Sequence, residues 1–206
     1  MSMQNVLKQI IKDIITPLFK KNGFKKSGNN FAKVFADFTW TVNIQLSRHN
    51  SQGEVEFTIN TGIYSDKLFG TLNEWNPPSF PTEKESVLRA RINEIKGESD
   101  NWYKLNSHSD VEKLKEQLQS DIVTVLLPYF EQFQTMNDII KELEFREEQG
   151  IFENPHHITI LYRFFGSMDK AQNRIKKVYL EQELNSQKEF TKELAGRLGL
   201  TIECVQ

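Results

Sequence analysis

A chain of 206 residues with 38% apolar and 26% charged side chains has enough greasy surface to fold as one or two domains around a buried core. Its 26 basic and 28 acidic side chains leave a net charge of −2. No whole-molecule field therefore draws it to nucleic acid or anionic lipid, and neither partner is expected. The single cysteine, Cys204, can form neither an internal disulfide nor a cysteine metal site. The apolar runs are too short to span a membrane and the opening residues show no signal-peptide core, so the expected setting is cytoplasmic.

Charge is uneven along the chain. Residues 1–30 carry six Lys and one Asp, whereas residues 109–166 sum to −6. The two stretches either attract one another, face partners of opposite sign, or are solvated helix faces. The first element is a helix: Val6, Leu7, Ile10, Ile11, Ile14, Ile15, Leu18 and Phe19 recur every three to four residues, with lysines on the other side. Pro17 is expected to kink or restart it, and Asn22-Gly23 to stop it.

Strands follow. Trp40, Val42, Ile44 and Leu46 alternate with Thr41, Asn43, Gln45 and Ser47. After a turn at residues 50–53, Val55, Phe57, Ile59 and Thr61 alternate with Glu56, Thr58, Asn60 and Gly62. This is a hairpin with one apolar and one polar face. Residues 31–37 are apolar on both parities and read as a strand covered on both sides, and Leu88–Asn93 alternates as a fourth strand. Between the third and fourth strands, residues 64–85 read as a long loop around Trp75 and Asn76-Pro-Pro-Ser-Phe-Pro81. Trp75 is either a contact point for a partner or a pin holding the loop to the body.

From Ser109 the chain reads as helical, with Ser109 and Glu112 as a capping box and Val111, Leu114, Leu118, Ile122, Val125 and Tyr129 as the buried stripe. Pro128 should bend it. Further helices are expected over 137–149, 156–165 and, as one run, 169–198. The predicted fold is α+β: an N-terminal helix packed on a four-stranded antiparallel sheet, then an all-helical C-terminal region. A soft boundary divides residues 1–136 from 137–206.

The order Gly23-Phe-Lys-Lys26, Asn30-Phe31, Val42-Asn-Ile-Gln-Leu46, Phe57-Thr-Ile-Asn-Thr-Gly-Ile63, Arg89-Ala-Arg-Ile92 and Asp100-Asn-Trp-Tyr103 resembles the bacterial family called domain of unknown function 4304, over about residues 7–130. The chain departs from it at Asn93, where a small residue is usual, and at Trp102-Tyr103, where a Trp pair is common. The resemblance implies the helix-plus-sheet fold and a bacterial source, and it supplies no reaction, cofactor or catalytic residue.

Chemistry-bearing motifs are sparse. Gly23-Phe-Lys-Lys-Ser-Gly28 lacks the Lys and Ser/Thr of a phosphate loop and follows a helix, so it reads as a turn. Adjacent His156 and His157 point about 100° apart on a helix and do not chelate one metal as an i, i+4 pair does. No metal, cofactor or catalytic residue is assigned. One constellation stands out: Asn43, Gln45, Thr58, Asn60, Arg89 and Arg91 should project from one sheet face, with the two arginines one pleat apart as a fork for carboxylate or phosphate. Together with Trp75 they form the candidate binding set. The leading expectation is a non-catalytic bacterial binding module for a protein partner, an immunity protein being one form. The alternative is an enzyme acting on a small anion held by Arg89 and Arg91, with Asp37, Asp66 or Asp100 as base. A third account pairs the arginines with acidic residues of 109–153.

Overall fold

A computed structural model describes residues 2–73, 75–151 and 154–202; Cys204 lies outside them. The chain divides into two compact units. One, the sheet unit, runs through Tyr64 and resumes from Pro78 to Gln132; the other, the helical unit, takes Ser65–Pro77 and the described residues from Phe133 onward.

Six antiparallel strands build the sheet unit: β1 (Lys25–Ser27), β2 (Asn30–Val34), β3 (Thr39–Leu46), β4 (Glu54–Tyr64), β5 (Leu88–Arg91) and β6 (Tyr103–Asn106). The α+β class and the N-terminal helix on an antiparallel sheet are as expected; the strand number is six, not four. The two unforeseen strands are the shortest or most polar. All three residues of β1 are exposed, so no alternation marks it, and β6 has only two buried positions, Tyr103 and Leu105. The long strand β4 organises the sheet. Its first edge pairs with β3 from Thr39↔Tyr64 to Leu46↔Phe57. Its second edge is shared: β5 pairs with Asn60–Ile63 and β6 with Glu54–Phe57, which leaves Thr58 and Ile59 between the two registers.

Period-two geometry sorts the side chains. Phe31, Trp40, Val42, Ile44, Phe57, Ile59, Ile63 and Leu88 are buried on one face. Two helical stretches cover it. The first is α1 (Met3–Ile10), a π-helical turn Ile11–Ile15 and α2 (Thr16–Lys21), burying Leu7, Ile10, Ile11, Ile15 and Phe19. The second is α5 (Val111–Asp121), a π turn Ile122–Leu126 and α6 (Leu127–Glu131), burying Leu114, Leu118, Ile122, Leu126 and Phe130; the short α4 (Ile92–Lys96) lies before it in the chain. Phe19 meets Phe31 with ring centroids 4.8 Å apart, and Phe130 stacks on Trp40 at 5.1 Å. Each such fully buried side chain contributes roughly 1.5–3 kcal/mol, so the layer contact dominates the unit's stability.

Neither proline breaks its helix. Ile15 and Thr16 keep right-handed helical angles before Pro17, as Leu126 and Leu127 do before Pro128. Proline removes a donor and crowds the carbonyl one turn back; a widened turn immediately before each proline relieves that crowding while the stripe continues.

Other boundaries shift for local reasons. Residues 92 and 93 leave the sheet for α4, ended by Gly97 at φ 70°, where a residue with a Cβ would be strained. Asp110, not Ser109, caps α5, accepting from Lys113 N at 3.1 Å, because Ser109 Oγ is engaged by Asn106 N at 2.9 Å. The expected loop over 64–85 contains a helix, α3 (Asp66–Asn73), in the helical unit, and a 3₁₀ turn (Glu83–Glu85) in the sheet unit. The helical unit also holds α7 (Met136–Glu148), α8 (His156–Phe165), α9 (Met168–Glu181) and α10 (Asn185–Leu198). The run expected over 169–198 is thus two helices, divided where Gln182 turns extended (ψ 134°). Among the described residues, no helix is long and apolar enough to cross a membrane.

Candidate functional site

The second face of the sheet collects the polar side chains. Register pairs Asn43 with Asn60, Gln45 with Thr58, Asn60 with Arg91 and Gly62 with Arg89, so all six sheet residues singled out above point the same way. Trp75 belongs to the helical unit and is 71% exposed, so its ring does not pin the loop.

The six are not equivalent. Asn43 donates to Asn30 Oδ1 at 2.7 Å. Asn60 donates to Gln45 Oε1 at 2.7 Å and accepts from Arg91 Nε at 3.2 Å, and Arg91 Nη1 donates to Asp100 Oδ2 at 2.7 Å. A rail of hydrogen bonds thereby runs from β3 across β4 and β5 to the loop beyond. Thr58 is fully buried and its hydroxyl has no partner, so solvent does not reach it. The guanidinium of Arg91 lies 5.4 Å from the ring of Trp102, the residue preceding β6. The hydrogen bond to Asn60 and the ring of Trp102 together orient it.

The arginines find their counter-ions in connecting segments rather than in residues 109–153. Arg89 Nη2 lies 3.0 Å from Glu83 Oε1 in the 3₁₀ turn, and Arg91 pairs with Asp100. The turn can approach the sheet because β4 has Gly62 there. A Cβ at that position would lie 2.3 Å from Ser86 Oγ and 2.6 Å from Thr41 Oγ1, two hydroxyls that hydrogen-bond to each other at 2.9 Å. Of the three aspartates considered as bases, Asp37 is exposed between β2 and β3, Asp66 begins α3 in the helical unit, and Asp100 alone meets an arginine.

Two groups of residues received no role from the sequence: the first was not singled out there, and of the second only the His156-His157 pair was, as a poor metal chelate. Asp121 is buried at the end of α5, where it accepts from Tyr103 Oη at 2.7 Å and faces Lys96 Nζ at 3.5 Å; Lys96 also pairs with Glu98 at 3.2 Å. Burial, followed by the bond to Asp121, pushes the Tyr103 hydroxyl well above the usual phenol range. Burial works to lower the Lys96 pKa, but the hydrogen bond to Glu98 and the charges of Asp121 and Glu98 outweigh it and leave it raised. The signal was a carboxylate three residues after Leu118 on an otherwise apolar stripe. Lys96, Glu98, Trp102 and Tyr103 line a cavity of about 270 Å³.

The second group is in the helical unit. His156 shares hydrogen bonds with Thr191 Oγ1 at 2.8 Å and Asn154 Oδ1 at 3.1 Å. Burial, then the charge of Arg174, depresses its pKa to about 4; burial, then His156, does the same to His157. Among the described residues, no three or more His, Cys, Asp or Glu side chains are grouped to hold a metal ion.

A family model described as Domain of unknown function (DUF4304) matches residues 15–132, ending at the last residue of the sheet unit. No curated protein and no solved structure matches the chain.

Proposed function

The chain belongs to this family, whose description names no activity, and from the geometry we propose that the sheet unit is a non-catalytic binding module engaging a protein partner through its polar face. One observation carries the reading: the Arg91 guanidinium is held in place by Asn60 and Trp102, while its counter-ion Asp100 is 59% exposed. A pair so open to solvent contributes roughly 0–1 kcal/mol. An incoming carboxylate can therefore replace Asp100 at little cost and inherit a pre-oriented guanidinium. The sheet residues of the face are amides, hydroxyls and guanidinium groups, with no general base among them, so they suit recognition better than proton transfer. Trp75, at 71% exposure, gives the helical unit an aromatic contact point of its own. The proposed setting is a bacterial cytoplasm, and an immunity protein is one form the module takes.

Affinity capture from a native lysate tests this with wild type, Arg91→Gln and Trp102→Phe, each checked for folding. The reading expects a specific protein lost with both variants. Identical capture by all three overturns it.

A further inference from the structure

Much of the basic charge at the start of the chain gathers at one corner of the sheet unit. Residues 20–33 hold five lysines and no acid, whereas the rest of that unit has ten basic and fourteen acidic side chains. The fold concentrates the five. α2 ends on Lys20 and Lys21, and Gly23, at φ 86°, turns the chain into β1 with Lys25 and Lys26. Register sets Lys26 opposite Phe31, and period two puts Lys33 on the same face of the sheet, the one that α2 covers. Lys26 Nζ lies 5.9 Å from the ring of Phe31, which also meets Phe19 of α2 at 4.8 Å. Lys33 packs back on the turn: a Cβ at Gly23 would lie 3.4 Å from its Cε, and its Nζ sits 4.9 Å from the ring of Trp40. Among the described residues none of the five forms an ion pair, and all but Lys33 are exposed. An aromatic face holds an ammonium without neutralising it, so the corner keeps its whole charge. Gathering like charges costs self-repulsion, which an anion relieves.

We propose that this corner docks an acidic segment of a protein partner, whose carboxylates take the counter-ion places that the chain itself leaves empty. The inference goes beyond the polar-face reading, because β1 and β5 stand at opposite ends of the strand order. A short acidic segment suits the corner better than a duplex or a membrane. Those extend past it onto the acidic remainder of the unit, and with a Debye length of about 8 Å in physiological salt that repulsion is only partly screened. The rings at the corner are buried, Phe31 and Trp40 being 0% and 4% exposed, and offer no stacking platform to single-stranded bases. The competing account is a solvated edge, with Lys25 and Lys26 blunting β1 and Lys20 and Lys21 complementing the end of α2.

The test is a nuclear magnetic resonance titration of the full chain with an N-acetylated, C-amidated hexaglutamate peptide. A short DNA duplex and phosphatidylserine vesicles, in the same buffer, are the alternative probes. Saturable amide shifts over residues 20–33 are expected with the peptide, with affinity falling at least about tenfold from low salt to about 0.5 M. Lys25→Glu/Lys26→Glu should weaken binding about tenfold and Lys20→Gln/Lys21→Gln about threefold. The second keeps the test decisive if the first fails to fold. Lys104→Gln/Lys113→Gln, at exposed positions in β6 and α5, should leave the affinity unchanged. Absence of saturable shifts, as for a solvated edge, overturns the proposal. So does equal weakening by the Lys104 and Lys113 changes, unchanged affinity in both corner variants, or tighter binding of the duplex or the vesicles than of the peptide. The polar-face reading is separable: Arg91→Gln should remove any peptide-induced shifts around residue 91 and retain those over residues 20–33, so either set can fail without the other.

Discussion

The guanidinium of Arg91 lies 5.4 Å from the ring of Trp102, joining the last residue of β5 to the residue that precedes β6. These two strands share one edge of β4, and Thr58 and Ile59 fall between their registers. The contact thus spans the break in pairing, where the chain leaves the sheet for α4 and returns. The break places a fixed cation beside an aromatic ring.

Because that contact is half open, Arg91→Ala should cost the fold little, about 1 kcal/mol or less, while weakening partner binding at least tenfold. Urea unfolding and capture on the same samples check this. A large stability loss would instead mark Arg91 as a structural pin.

Thr58 carries a buried hydroxyl without a partner. Thr58→Val keeps the shape and removes an unsatisfied group, so it should leave the fold unchanged or stabilise it by about 1 kcal/mol. Loss of stability in chemical denaturation would show that the hydroxyl is satisfied.

Gly62→Ala should destabilise the sheet unit by about 1–3 kcal/mol, since its Cβ would lie 2.5 Å from Ser86 Cβ and 2.6 Å from Thr41 Oγ1. Ser86→Gly in the same chain should recover part of the loss. Equal stability of wild type and Gly62→Ala would contradict the close seating of the 82–86 turn.

Tyr103→Phe removes the donor to Asp121 Oδ2 and leaves a buried carboxylate oxygen short of a partner, at a cost of about 1–3 kcal/mol. Ultraviolet titration of wild type should show one tyrosine ionising above the ordinary phenol range. If Tyr103→Phe is as stable as wild type, the bond carries no net energy.

His156 and His157 both have folded pKa values near 4, below the ordinary 6.5. The unfolded chain therefore takes up protons between these limits while the folded chain does not. Stability should be complete above about pH 6.5, fall as pH drops from 6.5 towards 4, and level off below 4 as far as these groups contribute. The loss is on the order of 3 kcal/mol for each histidine. Imidazole resonances followed through that range give the folded values directly; midpoints near 6.5 would refute the burial account.

Much of the sheet unit was legible because the period-two pattern in β3 and β4 is long and clean. Eight consecutive register pairs, from Thr39↔Tyr64 to Leu46↔Phe57, leave little freedom over which side chains share a face. Asn43, Gln45, Thr58 and Asn60 came from that pattern, and Arg89 and Arg91 from the shorter alternation over Leu88–Asn93. What stayed hidden depends on tertiary context. Glu83 and Asp100 look like ordinary surface acids, and only the approach of the 82–86 turn and the 97–102 loop makes them counter-ions. β1, with Lys25, Lys26 and Ser27, carries no apolar signal, and α3 was masked by the glycine and prolines around Trp75. Asp121, a charge on a greasy stripe, carried a readable signal and was nonetheless not singled out.

Photo-crosslinking from position 100 most directly tests whether the Arg91–Trp102 surface receives a partner. A photoreactive residue there, compared in native lysate with one at the exposed position 8 on α1, should trap one defined protein from position 100 only, and lose it when Arg91→Gln is added. No adduct at position 100, or the same adducts from both positions, would contradict the account.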